Sequence, residues 1–342
     1  MPTSANTGVL TLGTTVTSLR KPIPSKVLIE CQMKRRDLLV HSSDPWAPLL
    51  AVIDKSSRRV VKKLGENQEK EVNKRKAKKT IAAILDEPRL EHIRRLTVQG
   101  RLTEIKEVSE WDGEWSRVVW NLPSQLLRFV VNAAGNTLPT DDNLARWQRP
   151  KVPCGLCGSA DTIVHTLAGC KIALEQGRYT WRHDSILLKL YTSFAQAVGF
   201  NNWIGLWANP KKPPYPLPPC FPPTPQQPDI IFYKPDTRQV CLIELTAGCE
   251  ENREQGYEYK QNRYAELCAF AEMKGWTVLQ YSIHVGARGV LCKRLSELMA
   301  FAKIKGTAAK NLRTELRQTA IACSYCIWIH RKQMNWPNFA LV

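Results

Sequence analysis

Three cysteines and one histidine, Cys154, Cys157, His165 and Cys170, stand at C-x2-C-x7-H-x4-C spacing within CGLCGSADTIVHTLAGC. Thiolates and imidazole are the ligands zinc prefers, and two cysteines two residues apart supply half of a tetrahedral shell from one tight turn. Gly155 and Gly158 let backbone amides approach the sulfurs, and a short helical turn brings His165 and Cys170 to the remaining corners. Four protein ligands leave no open coordination position, so the expected Zn2+ is structural and its chemistry is folding rather than turnover. CSYC at 323–326 has the same pair spacing and His330 nearby. No second ligand pair follows it and its flanks are apolar, so Cys323 and Cys326 read as core residues.

A second set of chemistry-bearing residues lies further along. DIIFYK and QVCLIEL flank PDTR, the pattern of a β-hairpin. A turn centred between Asp236 and Thr237 places Asp229 opposite Glu244 on one face, with Cβ atoms about 5 Å apart. Their neighbours Ile230, Ile231, Phe232, Leu242, Ile243 and Leu245 are apolar, so both carboxylates lose solvation as well as repelling one another. A hard divalent cation, Mg2+ or Mn2+, held by Asp229, Glu244 and water resolves that conflict. In the helical stretch that follows, Tyr257, Lys260, Tyr264, Leu267 and Ala271 share one stripe, which puts Lys260 on an otherwise apolar face. A lysine there either snorkels to solvent or serves the carboxylate pair. In the second role it orients a nucleophilic water or neutralises a pentavalent phosphate during phosphodiester hydrolysis.

PDIIFYKPDTRQVCLIELT followed by KQNRYAEL resembles the restriction-like PD-(D/E)xK endonuclease carried by site-specific non-LTR retrotransposons. The resemblance implies an active site of Asp229, after Pro228, with Glu244, Lys260 and Tyr264. It also implies a CCHC knuckle followed by an RHD motif, here Arg182, His183 and Asp184 in RYTWRHDSIL. WNLPSQLLRFVVNAAGNTLPT is similar to the linker that follows the family's reverse transcriptase, so the likeness runs from about Leu90 to the C-terminus. Two departures stand out. Thr246 replaces the lysine of a D/E-x-K motif, so Lys260 must fill its place. No aspartate-pair motif of a polymerase precedes the linker, so the chain reads as the detached C-terminal part of such a polyprotein, without reverse transcriptase activity.

The elements that must position these residues follow from periodicity and punctuation. Helical spacing covers 89–108 and 114–134, where Val118, Leu122, Leu126 and Phe129 mark a core stripe with Trp115 and Trp120 beside it. A helix is expected over about 179–198, with Arg178 and Arg182 four residues apart as candidate phosphate contacts. His183 and Asp184 are candidates for completing the site or meeting DNA, and a capping or core role also fits Asp184. Residues 209–228 are dense in proline and form an extended linker or wrapping arm. The last third reads as strand, strand, helix (254–274), strand (276–285) and helix (290–303), giving an α/β module behind a helical front half. The expected organisation is a disordered lead-in at 1–26, a basic helical region at 27–150, the knuckle at 151–175 and a restriction-endonuclease-like α/β domain at 176–342.

Composition narrows the partners. In 342 residues, 49 Lys and Arg stand against 31 Asp and Glu, a net charge of +18. Such an excess attracts polyanions, and DNA is the expected one, with the element's RNA a second. Lys74, Arg75, Lys76, Lys78 and Lys79 form a basic cluster that fits either a solvated helix face or a nuclear-import or phosphate-contacting patch. No secretory signal and no long apolar run is present, so a nuclear, membrane-free protein is expected. Eleven cysteines, an odd count, suit free thiols plus one metal site better than a disulfide framework. The readings that remain are a metal-dependent DNA endonuclease and a catalytically silent, zinc-dependent nucleic-acid-binding remnant of the element.

Overall fold

A computed structural model describes residues 87–96, 100, 114–199, 202–337 and 339–342, together with Ser43. The lead-in at 1–26 and the basic cluster from Lys74 to Lys79 lie outside the described residues. Backbone packing divides the chain into two units, Asn6–Thr103 and Glu104–Val342, the latter with Met1–Ala5. The described part of the first unit contains a helix over 87–94. Every element below belongs to the second unit. The described front helices from Glu114 onward, the knuckle and the sheet fall in the same unit.

The helices in chain order are α1 (Glu114–Trp120), α2 (Ser124–Ala134), α3 (Asp141–Arg146), α4 (Lys171–Glu175) and α5 (Arg178–Gly199). They continue as α6 (Arg253–Arg263), α7 (Ala265–Met273), α8 (Arg294–Phe301) and α9 (Gly306–Ile329). Pro123 splits the stretch expected as one helix into α1 and α2, since proline cannot donate the hydrogen bond that would continue it. Of the expected stripe, Val118, Leu122 and Phe129 are buried and Leu126 is half-buried. Trp115 is also buried, donating its indole N–H to the Arg288 carbonyl, while Trp120 stays at the surface.

Four strands form one sheet in the order β1 (Ile204–Trp207), β2 (Ile230–Lys234), β3 (Gln239–Thr246) and β4 (Thr277–His284). The first three are antiparallel neighbours and β4 lies parallel to β3, so the sheet is mixed. The β3–β4 link must cross over the sheet, and α6 and α7 make that crossover. The hairpin register pairs Ile230 with Ile243 and Lys234 with Gln239, so continuing it one step puts Asp229 opposite Glu244 as expected. A 3-10 turn at Pro235–Thr237 closes it, with Arg238 in the left-handed region at φ 48°.

Alternation on the strands feeds two cores. Ile230, Phe232, Cys241, Ile243 and Leu245 pack with α5, α8 and α9. Ile231, Val240 and Leu242 pack with Cys220, Phe221, Tyr264, Leu267 and Ala271. The proline-rich segment is thus a wrapping arm that covers one sheet face, and β3 is buried on both sides as a central strand should be. Asp229 and Glu244 share the parity of the arm-side face. The α/β class read from the sequence holds. Strand β1 was not foreseen, being only four residues long; it is admitted because Gly205 lets the Phe232 ring lie against the backbone where a Cβ would collide. Among the described residues, no helix is long and apolar enough to cross a membrane.

Candidate active site and metal centre

The Cys/His cluster forms at the junction between α3 and α5. Cys154, Cys157, His165 and Cys170 bring their ligand atoms within 4.8 Å of one another. The Cys154 and Cys170 sulfurs are 3.9 Å apart, and Cys157 Sγ lies 3.3 Å from His165 Nε2. Bond lengths of ~2.3 Å to sulfur and ~2.0 Å to nitrogen in a tetrahedron give edges of roughly 3.8 and 3.5 Å, so the donor set fits Zn2+. The local chain explains the convergence. A left-handed Gly158 at φ 72° turns the backbone after the first pair, and a π-helical turn over His165–Gly169 presents the second. Burial opposes ionisation of Cys157, but bonds from Ser159 and the neighbouring thiols outweigh it and lower that thiol to about 6. Cys170 is pushed up to about 11, chiefly by burial. Tyr179 docks the knuckle onto α5: its hydroxyl accepts from the Cys170 amide at 3.1 Å and lies 3.0 Å from the Thr166 carbonyl it donates to.

The second cluster lies at the open end of the hairpin. Asp229 sits one residue before β2, and its amide donates to Glu244 Oε1 at 2.9 Å. Its Oδ2 accepts from the Leu245 amide at 2.8 Å. Lys260 reaches in from α6, 3.1 Å from Asp229 Oδ2 and 2.8 Å from Glu244 Oε2, and also donates to the Leu245 carbonyl. The cation between the carboxylates is therefore the lysine ammonium, so Lys260 belongs to the cluster and is not a snorkelling surface residue. His183 enters from α5, with Nε2 3.3 Å from Asp229 Oδ2 and 3.2 Å from the Leu245 carbonyl, and Nδ1 3.0 Å from Asp184 Oδ1.

Electrostatics follow from this geometry. Burial alone would raise the Asp229 carboxyl, but His183, Lys260 and the Leu245 amide hold it well below the usual carboxylate range. Burial and the Asp229 charge push Glu244 up, with Lys260 opposing. Lys260 is raised despite burial because two carboxylates face it. Burial disfavours the His183 cation, yet bonds to Asp184 and Asp229 lift it to about 9, which makes it a double donor at neutral pH. The cluster thus holds two cationic side chains against a firmly ionised Asp229.

Three sequence expectations change. Arg178 and Arg182 are 0% and 1% exposed and cannot meet phosphate. Arg178 donates to the carbonyls of His330 and Gln333 and lies over the Trp336 ring; Arg182 donates to the Ala247 carbonyl and to Ser324 Oγ. Both tie the start of α5 to other segments, a role that helical spacing cannot distinguish from a solvent-facing one. His183 and Asp184 join the acidic cluster, the alternative in which they complete the site. Tyr264 is fully buried and donates to the Gln227 carbonyl at 3.1 Å, so it positions the segment before Asp229 instead of touching a substrate. Tyr215, which the sequence did not single out, does the same through the Pro228 carbonyl, and the Leu245 carbonyl is a site atom without any side-chain signal. The sequence matches no protein-family model and no curated protein.

Proposed function

We propose that the protein is a metal-dependent DNA endonuclease, with a restriction-endonuclease-like core derived from a non-LTR retrotransposon, that nicks a strand by phosphodiester hydrolysis. The observation that carries this reading is the convergence of Asp229, Glu244, Lys260 and the Leu245 carbonyl on one point at the open end of the β2–β3 hairpin. Placing two carboxylates and an ammonium there, largely out of water, costs solvation. Catalytic sites are where such arrangements are kept.

Asp229 Oδ2, Glu244 Oε2 and the Leu245 carbonyl are hard oxygen donors, a set that would fit Mg2+ or Mn2+ in place of the Lys260 ammonium that bridges them. When bound, such an ion polarises the scissile phosphate and lowers the pKa of a water nucleophile. The chain's own groups do the rest. His183, backed by Asp184, holds Asp229 ionised and fixed. Lys260 carries the positive charge that offsets the negative charge growing on the phosphate oxygens. In the reaction a water oxygen bonds to phosphorus as one P–O ester bond breaks. One end keeps the phosphate and the other, after taking up a proton, leaves as a hydroxyl. The zinc knuckle has no open position in this scheme and holds α5, and with it His183, in place.

The deciding experiment is nicking of supercoiled plasmid by the purified full chain. Open circles in Mg2+, absent with EDTA and absent for Asp229→Ala, are the expected result. DNA binding without nicking in either Mg2+ or Mn2+ makes the chain a zinc-dependent nucleic-acid-binding remnant instead.

A further inference from the structure

With Arg178 and Arg182 buried, the cations that meet a polyanion beside the acidic cluster must come from elsewhere, and the short loop that opens the wrapping arm after β1 supplies them. Its two ends are tied to the residues at Asp229. The Ala208 amide donates to the Asp229 carbonyl at 2.9 Å, and the Tyr215 hydroxyl donates to the Pro228 carbonyl. Between these anchors run Asn209, Pro210, Lys211, Lys212, Pro213 and Pro214, of which residues 210–214 are exposed.

Asn209 folds the loop back on itself. Its side-chain oxygen accepts from the Lys211 amide at 3.0 Å and its carbonyl from the Lys212 amide at 3.0 Å. Three prolines fix φ at half of the loop positions, so little backbone freedom remains to be lost on binding. Each lysine is three residues from an anchored residue, which limits its Cα to ~11 Å from that anchor. Phosphates on one strand advance by about 3.4 Å each along the helix axis, so backbone positions adjacent to the reacting one come within reach of a lysine side chain on this loop. Among the described residues neither ammonium has an ion-pair partner, whereas Asp229 and Glu244 are already neutralised by Lys260 and His183.

We infer that Lys211 and Lys212 form a phosphate-gripping element that holds the nucleic-acid backbone next to the acidic cluster. The inference rests on the nuclease reading. These lysines grip phosphates and do not read bases, and their rigid tether fixes where the duplex lies relative to Asp229.

The test is a salt titration of duplex binding, by fluorescence anisotropy with a labelled 30-base-pair DNA in buffer without Mg2+. It uses the wild type, Lys211→Ala/Lys212→Ala, Lys211→Arg/Lys212→Arg, and the charge-matched control Lys305→Ala/Lys310→Ala. Removing two phosphate contacts should reduce the slope of log K against log salt by about 1.8. Affinity at low salt should fall at least tenfold, the arginine pair should keep the wild-type slope, and the control on the last helix should leave it unchanged. Thermal melts of the four proteins should coincide, because the substituted side chains are exposed. Plasmid nicking is measured in parallel. A wild type that binds and nicks while the alanine pair keeps its slope and affinity overturns the loop assignment alone. A lowered slope in a protein that never nicks overturns the nuclease reading alone. A wild type that does not bind duplex overturns both.

Discussion

Lys260 joins the Leu245 carbonyl and two carboxylates that would otherwise repel one another. Its removal leaves Glu244, only 2% exposed at the side chain, facing Asp229 without a counter-charge. Lys260→Ala is expected to reduce plasmid nicking by ~100-fold or more, the usual scale for losing a charge stabiliser, while anisotropy shows DNA binding nearly unchanged. Thr246 lies two residues beyond Glu244 on β3, so its side chain has the same parity. Adding Thr246→Lys to Lys260→Ala should restore part of the activity. Nicking at the wild-type rate by Lys260→Ala would remove the lysine from the site. Arg182 makes a contrasting case. Arg182→Ala deletes a buried cation and abandons the Ala247 carbonyl and Ser324. It should lower unfolding stability by roughly 2–4 kcal/mol in a urea titration. The salt slope of DNA binding should not move.

At the scale of elements, the knuckle and α5 act as one piece. The knuckle's small core is Cys154, Cys170, Ala173, Tyr179 and Ile327, with Trp336 beside it, too little apolar surface to hold a loop without metal. About one tightly held zinc per chain is expected from the single four-ligand set, and Cys157→Ser or His165→Ala should lose it together with DNA affinity. Tyr179→Phe is the finer test. It removes the hydroxyl that joins the Cys170 amide to the His165 and Thr166 carbonyls but leaves all four ligands. Zinc affinity, followed by competition with a chromophoric chelator, should fall about tenfold, as for other groups that orient metal ligands. The knuckle was legible from spacing because all its ligands come from 17 consecutive residues. The partner that seats it, Tyr179, was not, because a tyrosine at a helix start carries no mark of what its hydroxyl meets.

Across the whole second unit, a buried ion cluster fastens the front helices to the sheet. Arg288 bonds Glu250 at 2.7 Å and Glu251 at 3.0 Å, and its Nε donates to the Ala133 carbonyl at the end of α2. Gly286 allows Glu250 to lie against the chain there; a Cβ would overlap its carboxylate. Gly286→Ala should therefore weaken the unit as a whole, lowering its denaturant midpoint by the equivalent of about 2–3 kcal/mol, with zinc still bound. A shift in zinc content without a shift in midpoint would contradict this coupling. The sequence by itself determined the hairpin and its register, since alternation and a short turn admit one pairing that buries the apolar set. It also determined the Cys/His set that could hold zinc and the place of Lys260 on the crossover, although the helix expected over 254–274 breaks at Tyr264. Only the tertiary structure decided that Arg178, Arg182 and Arg288 are buried, that His183 meets Asp229 across 46 residues, and that the loop carrying Lys211 and Lys212 is tied at its ends to Asp229 and Pro228. Periodicity reports which face of an element a residue occupies. What covers that face depends on packing between segments far apart in the chain, and a charged side chain reads the same whether water or a backbone carbonyl receives it.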